Sequence, residues 1–181
     1  MAQWQEQTAD ALPARIGQVV MLHHAGDREE ARSRLLALWA DLGTGGDPLH
    51  RCTLAHFLAD TQDDPAAELA WDLRALAAAE EATGPHPSPP PAAVRAFLPS
   101  LHLDLAADYA GLGRAEAARS HLRQARTTAT ALGEDGYGTT VRAALTRLTH
   151  RLEKELPPEP EEGPPRPGPG GGPLGPPRHG H

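Results

Sequence analysis

Cys52 and His56 are the side chains whose types and spacing suggest chemistry most directly. They are four residues apart, so a helix would place both on one face, and His50 comes shortly before them. A thiolate and an imidazole at this spacing are typical zinc ligands, and His23 or His24 would complete the set from a neighbouring helix. The same residues also fit a small buried cysteine beside half-exposed histidines, and no paired motif such as His-Glu-x-x-His occurs. We therefore predict no metal and no cofactor, and keep a His/Cys metal-binding protein as an alternative.

Acidic residues between Asp60 and Asp72 raise the question of acid–base catalysis. A catalytic carboxyl group needs a pKa shifted by burial or by a like-charged neighbour. Asp63 and Asp64 precede Pro65, and an Asp-Pro pair is typical of an exposed turn at which Asp caps the next helix. The sequence also contains no phosphate-binding glycine loop before a helix and no Gly-x-Ser-x-Gly motif. We therefore predict that the chain is not an enzyme.

Charge and cysteine content narrow the classes of partner. The 181 residues carry a formal net charge of −7, which argues against a general nucleic-acid or anionic-membrane binder. The single cysteine excludes an intramolecular disulfide and a zinc site built from cysteines. No run approaches the length of an apolar membrane span, and the first ten residues lack the order of a secretion signal. These features predict a cytoplasmic protein with no membrane or nucleic-acid partner.

Prolines divide the chain into segments. Of the 19 prolines, ten lie in 157–181 and five in 85–91. A segment so rich in proline and glycine buries too little apolar surface to offset the entropy of ordering. We therefore predict an N-terminal segment over 1–10, a helical domain over 11–156 with a Pro-rich linker at 84–92, and a disordered tail over 157–181.

Apolar residues between these breaks recur at helical spacing and predict three helix pairs and a last helix. Asp27 with Glu30 has the spacing of a capping box, and Pro99 is expected to start or kink its helix. The last helix carries an apolar stripe and an opposite basic stripe, Arg142, Arg147, Arg151 and Lys154, interpreted as a solvated face. Trp39 and Trp71 are interpreted as core residues. The predicted helices are 11–25, 27–42, one opening at Asp47-Pro48, one opening at Asp64-Pro65, 98–112, 114–132 and 139–156.

A repeated pattern of small and large residues runs through these pairs. In each copy the small residue of the second helix follows the first position by thirteen residues. Small residues permit helices to cross closely, and large ones fill the gaps between crossings. The pattern resembles the tetratricopeptide repeat over residues 11–156. Its copies are Leu105-Ala106, Tyr109, Leu112-Gly113, Ala118, Leu122, Ala125; Gln18-Val19, Leu22, Ala31, Leu35, Leu38; and Leu54-Ala55, Leu58, Ala67, Trp71, Arg74.

The resemblance implies an all-α fold, a right-handed superhelical stack of about three antiparallel helix pairs with a C-terminal capping helix. It also implies a concave groove, lined by the first helix of each pair, that binds a protein or peptide. The absence of Asn from the sequence, and of Lys and Arg from the groove positions, argues against a clamp for a peptide carboxylate. The groove positions are Ile16, Val20, His23, His24, Cys52, His56, Asp60, Leu103 and Ala107.

The predicted function is therefore a non-catalytic protein- or peptide-binding scaffold whose partner the sequence does not identify. A homodimer stays open, because stacked helices leave apolar ends that a second copy could cover. The alternative from another class is a regulatory sensor that binds a small peptide or metabolite in the groove.

Overall fold

The computed structural model describes residues 2–83 and 91–155, with side chains described over 11–83 and 91–155. Seven α-helices and no strand occur in this part of the chain, so the all-α prediction is confirmed there. None of these helices combines the length and the apolar character needed to cross a bilayer. The predicted tail at 157–181 and most of the predicted linker at 84–92 lie outside the described residues. The helices are α1 (Ala2–His24), α2 (Arg28–Leu42), α3 (Pro48–Asp60), α4 (Pro65–Thr83), α5 (Ala92–Gly111), α6 (Ala115–Ala129) and α7 (Gly136–Glu155).

Three helices begin earlier than their sequence signals predicted, among them α7, which starts at Gly136 rather than Thr139. α1 starts at Ala2, so residues 2–10 of the N-terminal segment predicted for 1–10 belong to this helix. α5 starts at Ala92 and contains Pro99 in its interior, so the predicted start at Leu98 was wrong. Val94 is buried against α3 and α4, with Phe97 and Leu98 partly buried beside it. Burial of these side chains offsets the backbone hydrogen bond that proline removes.

The helix starts show which capping signals operate. Asp47 Oδ1 accepts a hydrogen bond from the His50 amide at 3.0 Å, and Asp64 Oδ2 accepts one from the Ala67 amide at 3.0 Å. Both predicted Asp-Pro caps are thus confirmed. The predicted capping box at Asp27 was wrong, because this side chain makes no capping hydrogen bond and Glu30 instead accepts from Arg34.

Helix neighbours follow a simple order. Each helix packs against the next one along the chain, and α1, α3, α5 and α7 also contact one another in sequence. Among the described helices, the even-numbered ones do not contact each other, and α1 does not reach α7. The helices therefore form an open row of pairs, with the odd-numbered helices sharing one side.

The core consists of three apolar clusters, each built by three consecutive helices. The first joins α1, α2 and α3, the second α3, α4 and α5, and the third α5, α6 and α7. Trp39 and Trp71 link the first two clusters through an edge-to-face contact with ring centroids 5.1 Å apart. This contact confirms their assignment to the core.

A polar network also joins the first pair to the second. Arg32 Nε donates to the Thr61 carbonyl at 2.8 Å, and the Arg32 guanidinium lies 2.6 Å from Asp63 Oδ2. Arg28 approaches the same carboxylate at 3.0 Å. The hydrogen bond from Arg32 lowers the pKa of Asp63. Asp63 is thus an ion-pair partner of Arg28 and Arg32 at the turn between α3 and α4.

Candidate functional site: a histidine and carboxylate cluster

Four polar side chains from three consecutive helices meet on the side shared by the odd-numbered helices. They are His56 of α3, Asp72 of α4, and Asp104 and Asp108 of α5, called here the His56 cluster. His56 Nδ1 lies 3.6 Å from Asp104 Oδ2 and 3.9 Å from Asp72 Oδ1. These distances suit an ion pair when His56 is protonated, but they exceed those of a good hydrogen bond.

Helical spacing explains how these residues come together. Asp72 follows the buried Leu69 by three residues and precedes the buried Ala75 by three, so it occupies the apolar face of α4. Asp104 and Asp108 are four residues apart on α5 and therefore lie on one face. Packing of α4 against both α3 and α5 then brings Asp72 to His56 and to the α5 carboxylates.

One buried polar atom on each of these side chains lacks a hydrogen-bond partner in the described part of the chain. The atoms are His56 Nδ1, Asp72 Oδ1, Asp104 Oδ2 and Asp108 Oδ2. The Asp72 side chain is only 3 % exposed. A buried polar group without a partner costs about 1–3 kcal/mol, and more if it is charged. Buried carboxylates this close to one another therefore favour a shared proton or a bound cation.

The ionisation of the cluster reflects burial and crowding of like charges. Burial, followed by the negative charges of Asp72, Asp60 and Glu68, outweighs the opposing effect of His56 and raises the pKa of Asp104 to about 7. The pKa of Asp108 is also raised, first by burial and then by Asp72.

The same burial and charges also shift the pKa values of His56, Asp60 and Glu68. Burial acts to lower the pKa of His56, but the facing carboxylates prevail and raise it. Desolvation is the main cause of the raised pKa values of Asp60 and Glu68. Burial thus favours the protonated form of the carboxyl groups, whereas the facing carboxylates favour the charged form of His56.

An open pocket adjoins the cluster between α4, α5 and α7. It has a volume of about 350 Å³, and Glu68, Ala107 and Asp108 line it together with Arg151 and Glu155 of α7. A second pocket of about 390 Å³ lies between α5 and α7, where Asp104 faces the same space as Arg147 and Arg151. Arg151 also lies 3.9 Å from Glu155. The basic stripe predicted to be only solvated therefore partly borders the acidic pockets.

The residues predicted to line the groove differ in their burial and in what they contact. Ile16 and Cys52 are buried in the first and second cores, so their assignment to the groove was wrong. Val20 packs partly buried against the first core, and Leu103 and Ala107 against the third. His56 and Asp60 do lie near the α5 carboxylates. The exposed His24 and the half-buried His23 act electrostatically on Asp60.

Cys52 differs from the thiol of the alternative metal site. It is completely buried, and burial together with Asp72 raises its pKa to about 12. The side chain packs among the apolar residues of the second core, where a zinc site would need further ligands. In the described residues, the group able to surround an ion is instead His56, Asp72 and Asp104. The proposed pairing of Cys52 with His56 is therefore not supported.

Sequence reasoning missed the role of Asp104, Asp108 and Glu68, and it weighed Asp72 only as a possible acid–base residue. One signal was available for Asp72, because an aspartate within an otherwise apolar helical stripe requires a partner. The spacing of Asp104 and Asp108 placed them on one face but gave no information about what that face meets.

A second polar contact lies between α5 and α6. His102 Nδ1 and His121 Nδ1 are 3.1 Å apart, and Tyr109 stacks on His121 with ring centroids separated by 5.4 Å. Burial, followed by the charge of His121, lowers the pKa of His102 to about 4. One nitrogen of such a pair donates and the other accepts, so the contact requires at least one neutral ring.

The raised pKa of Asp104 predicts a pH-dependent effect of Asp104→Asn. Between the ordinary aspartate pKa near 3.8 and the folded value near 7, the folded state binds more protons than the unfolded state. The stabilising contribution of Asp104 is therefore fully present below about pH 4. It decreases as the pH rises above that value and is lost once the pH has risen through 7. Asp104→Asn should gain stability relative to the unmodified chain by about 1–2 kcal/mol between pH 4 and pH 8, a value reduced for solvent screening.

Urea unfolding in a chelator-containing buffer measures this difference. The His102 and His121 contact has the opposite pH dependence, but it is present in both proteins and cancels in the comparison. Glu80→Gln, at an exposed position of α4, serves as the control and should show little pH-dependent change. A constant difference between Asp104→Asn and the unmodified chain across this range would contradict the prediction.

Comparisons with known proteins gave no relative: no protein-family model, no curated protein and no solved structure matches this chain.

Proposed function

We propose that the chain is a non-catalytic binding module that holds a basic segment of a partner protein along the side shared by α1, α3, α5 and α7. The acidic pocket beside the His56 cluster is the observation that carries this proposal. Glu68, Asp108 and Glu155 line that pocket against one arginine, Arg151, and Asp60 acts electrostatically on Glu68. A lysine or arginine side chain in the pocket would be attracted by this excess of negative charge.

The order of helix contacts supports a tetratricopeptide-like stack. In such an arrangement, the first helices of successive pairs lie side by side and line a continuous surface, and the second helices lie behind them. The contacts from α1 to α3, from α3 to α5 and from α5 to α7 fit this order. The repeated small and large residues resemble that family, and we propose the superhelical form on this basis.

A binding role agrees better with the site than catalysis does. Cys52, the sole thiol, is buried with a pKa raised to about 12, so it is a poor nucleophile. The carboxylates of the cluster face one another and His56 rather than a serine or threonine hydroxyl hydrogen-bonded to a base. We therefore propose recognition of positive charge rather than turnover of a substrate.

Selection from a random peptide library tests the proposal. Peptides retained by the chain should be enriched in arginine and lysine, and their affinity should fall as salt increases. The double variant Asp60→Lys/Glu68→Lys reverses the charge of Glu68, which lines the pocket, and of Asp60, which acts electrostatically on Glu68. It should weaken the selected peptides by at least about tenfold, equivalent to about 1.4 kcal/mol.

Glu80→Lys is the matched control, because it makes the same kind of change at an exposed position of α4. This control should keep an affinity within about twofold of the unmodified chain. Peptides without basic enrichment, or equal binding by the double variant and the control, would rule out the acidic pocket as the recognition site.

A further inference from the structure

We propose that His56, Asp72 and Asp104 form a binding site for a divalent transition-metal ion, of which Zn²⁺ and Mn²⁺ are the best fitting. Each ligand comes from a different one of three consecutive helices, α3, α4 and α5. One ligand atom from each residue lies within 4.8 Å of the other two. The site is distinct from the proposed basic-segment pocket in its ligand and does not rest on the proposed function.

The distances between ligand atoms are suitable for a shared ion. Two ligand atoms bound at about 2.1 Å to one tetrahedral ion are separated by about 3.4 Å. His56 Nδ1 lies 3.6 Å from Asp104 Oδ2 and 3.9 Å from Asp72 Oδ1. These two separations exceed that value by 0.2 and 0.5 Å, so the ligand atoms would have to move closer together by a few tenths of an ångström to share an ion.

Asp72 provides the observation that separates this site from an ordinary acidic surface. Its side chain is 3 % exposed, and Oδ1 points toward His56 without a hydrogen-bond partner in the described part of the chain. Its position on the apolar face of α4 would suit a leucine or alanine, as at Leu69 and Ala75. Unpaired His56 Nδ1 and Asp104 Oδ2 face the same point. A metal ion would satisfy all three atoms at once.

The types of ligand select the class of ion. Ca²⁺ and Mg²⁺ prefer oxygen ligands alone, whereas an imidazole nitrogen favours transition metals. Two carboxylates beside one imidazole suit Zn²⁺ and Mn²⁺ better than Cu⁺, which prefers sulfur ligands. Asp108, with another buried unpaired oxygen, and Asp60 lie close enough to add negative charge around the ion.

Binding to the complete chain, first stripped with a chelator, tests the proposal. Isothermal titration with Zn²⁺ and with Mn²⁺, followed by elemental analysis after desalting, should give one ion per chain for at least one of the two metals. The bound ion should also raise the melting temperature, because it binds the folded state. Ca²⁺ and Mg²⁺ at the same concentration should give no stoichiometric binding.

Three variants locate the ion. Asp72→Asn keeps the shape of the side chain but removes its charge, and it should weaken binding by at least tenfold while far-ultraviolet circular dichroism shows an unchanged fold. Cys52→Ser should retain the ion, because the thiol lies outside the proposed ligand set. His179→Gln/His181→Gln, which removes the two histidines nearest the C-terminus of the sequence, should retain it as well.

Co²⁺ bound at the proposed site would report the types of its ligands through its visible absorption. Its visible absorption should appear on titration of the unmodified chain and disappear in Asp72→Asn, without the intense charge-transfer band of a thiolate ligand. Failure to bind either Zn²⁺ or Mn²⁺ stoichiometrically, or retention of the ion by a folded Asp72→Asn, would overturn the proposal. Neither result involves a peptide, so the acidic pocket is tested separately.

Discussion

Leu35→Ala is expected to reduce the free energy of unfolding by about 2–5 kcal/mol. Leu35 is 1 % exposed and belongs to the cluster that joins α1, α2 and α3. Truncation removes buried methyl groups and leaves a cavity between helices from two successive pairs, which relax only partly around it. Urea unfolding monitored by circular dichroism at 222 nm measures the change.

Leu36→Ala is an unusually close control, because the next residue of the same helix is 42 % exposed. The two substitutions remove the same atoms from the same helix, and their effects on helix propensity are equal. Leu36→Ala should therefore change stability by no more than about 0.5 kcal/mol. Similar losses in both variants would show that α2 packs through a different face.

Gly138→Ala should destabilise the chain by about 1–3 kcal/mol, although alanine is the better helix former. Gly138 lies buried near the start of α7, and a Cβ atom there would meet the Gly133 carbonyl oxygen at a separation too short for any real contact. The same oxygen accepts a hydrogen bond from Arg142 at 2.9 Å. Accommodating the methyl group would move the turn between α6 and α7, and a thermal melt should show a lower midpoint.

Gly136→Ala provides the comparison two residues earlier. A Cβ atom at Gly136 has no heavy atom within 4 Å, so the substitution removes backbone freedom from the unfolded chain without a clash. We expect stability to stay constant or to rise by up to about 1 kcal/mol. Equal changes in stability for Gly138→Ala and Gly136→Ala would mean that the turn between α6 and α7 accommodates the methyl group without loss of stability.

The two ligands proposed for this region, a basic partner segment and a metal ion, would interact with different members of the same group of charged residues. A metal ion at His56, Asp72 and Asp104 would neutralise these carboxylates but leave Glu68 and Asp60 outside the set of ligands. A basic partner segment would reach those outer residues first. Comparing peptide affinity before and after loading with metal therefore shows whether the two ligands compete or bind together.

The sequence by itself determined the local structure well. Asp47 and Asp64 cap their helices as predicted, since an aspartate followed by proline acts within a single turn. Gly26 and Gly113 adopt positive φ angles, 96° and 72°, at the turns that follow α1 and α5, a conformation that glycine permits without a steric penalty. Helical periodicity also identified the buried leucines of α2 and α7. These features depend on neighbours in the chain, which the sequence contains directly.

Tertiary structure decided which polar residues meet. Helical spacing placed Cys52 and His56 on one side of α3, but packing buried the thiol in the core and turned the imidazole toward Asp72 and Asp104. Residues 16 and 52 were assigned to a groove by repeat position, whereas the local helix rotation directs both into the core. Contacts between helices depend on their relative rotation and depth, because periodicity fixes a face but not its neighbour. For that reason the cluster emerged only from the assembled helices.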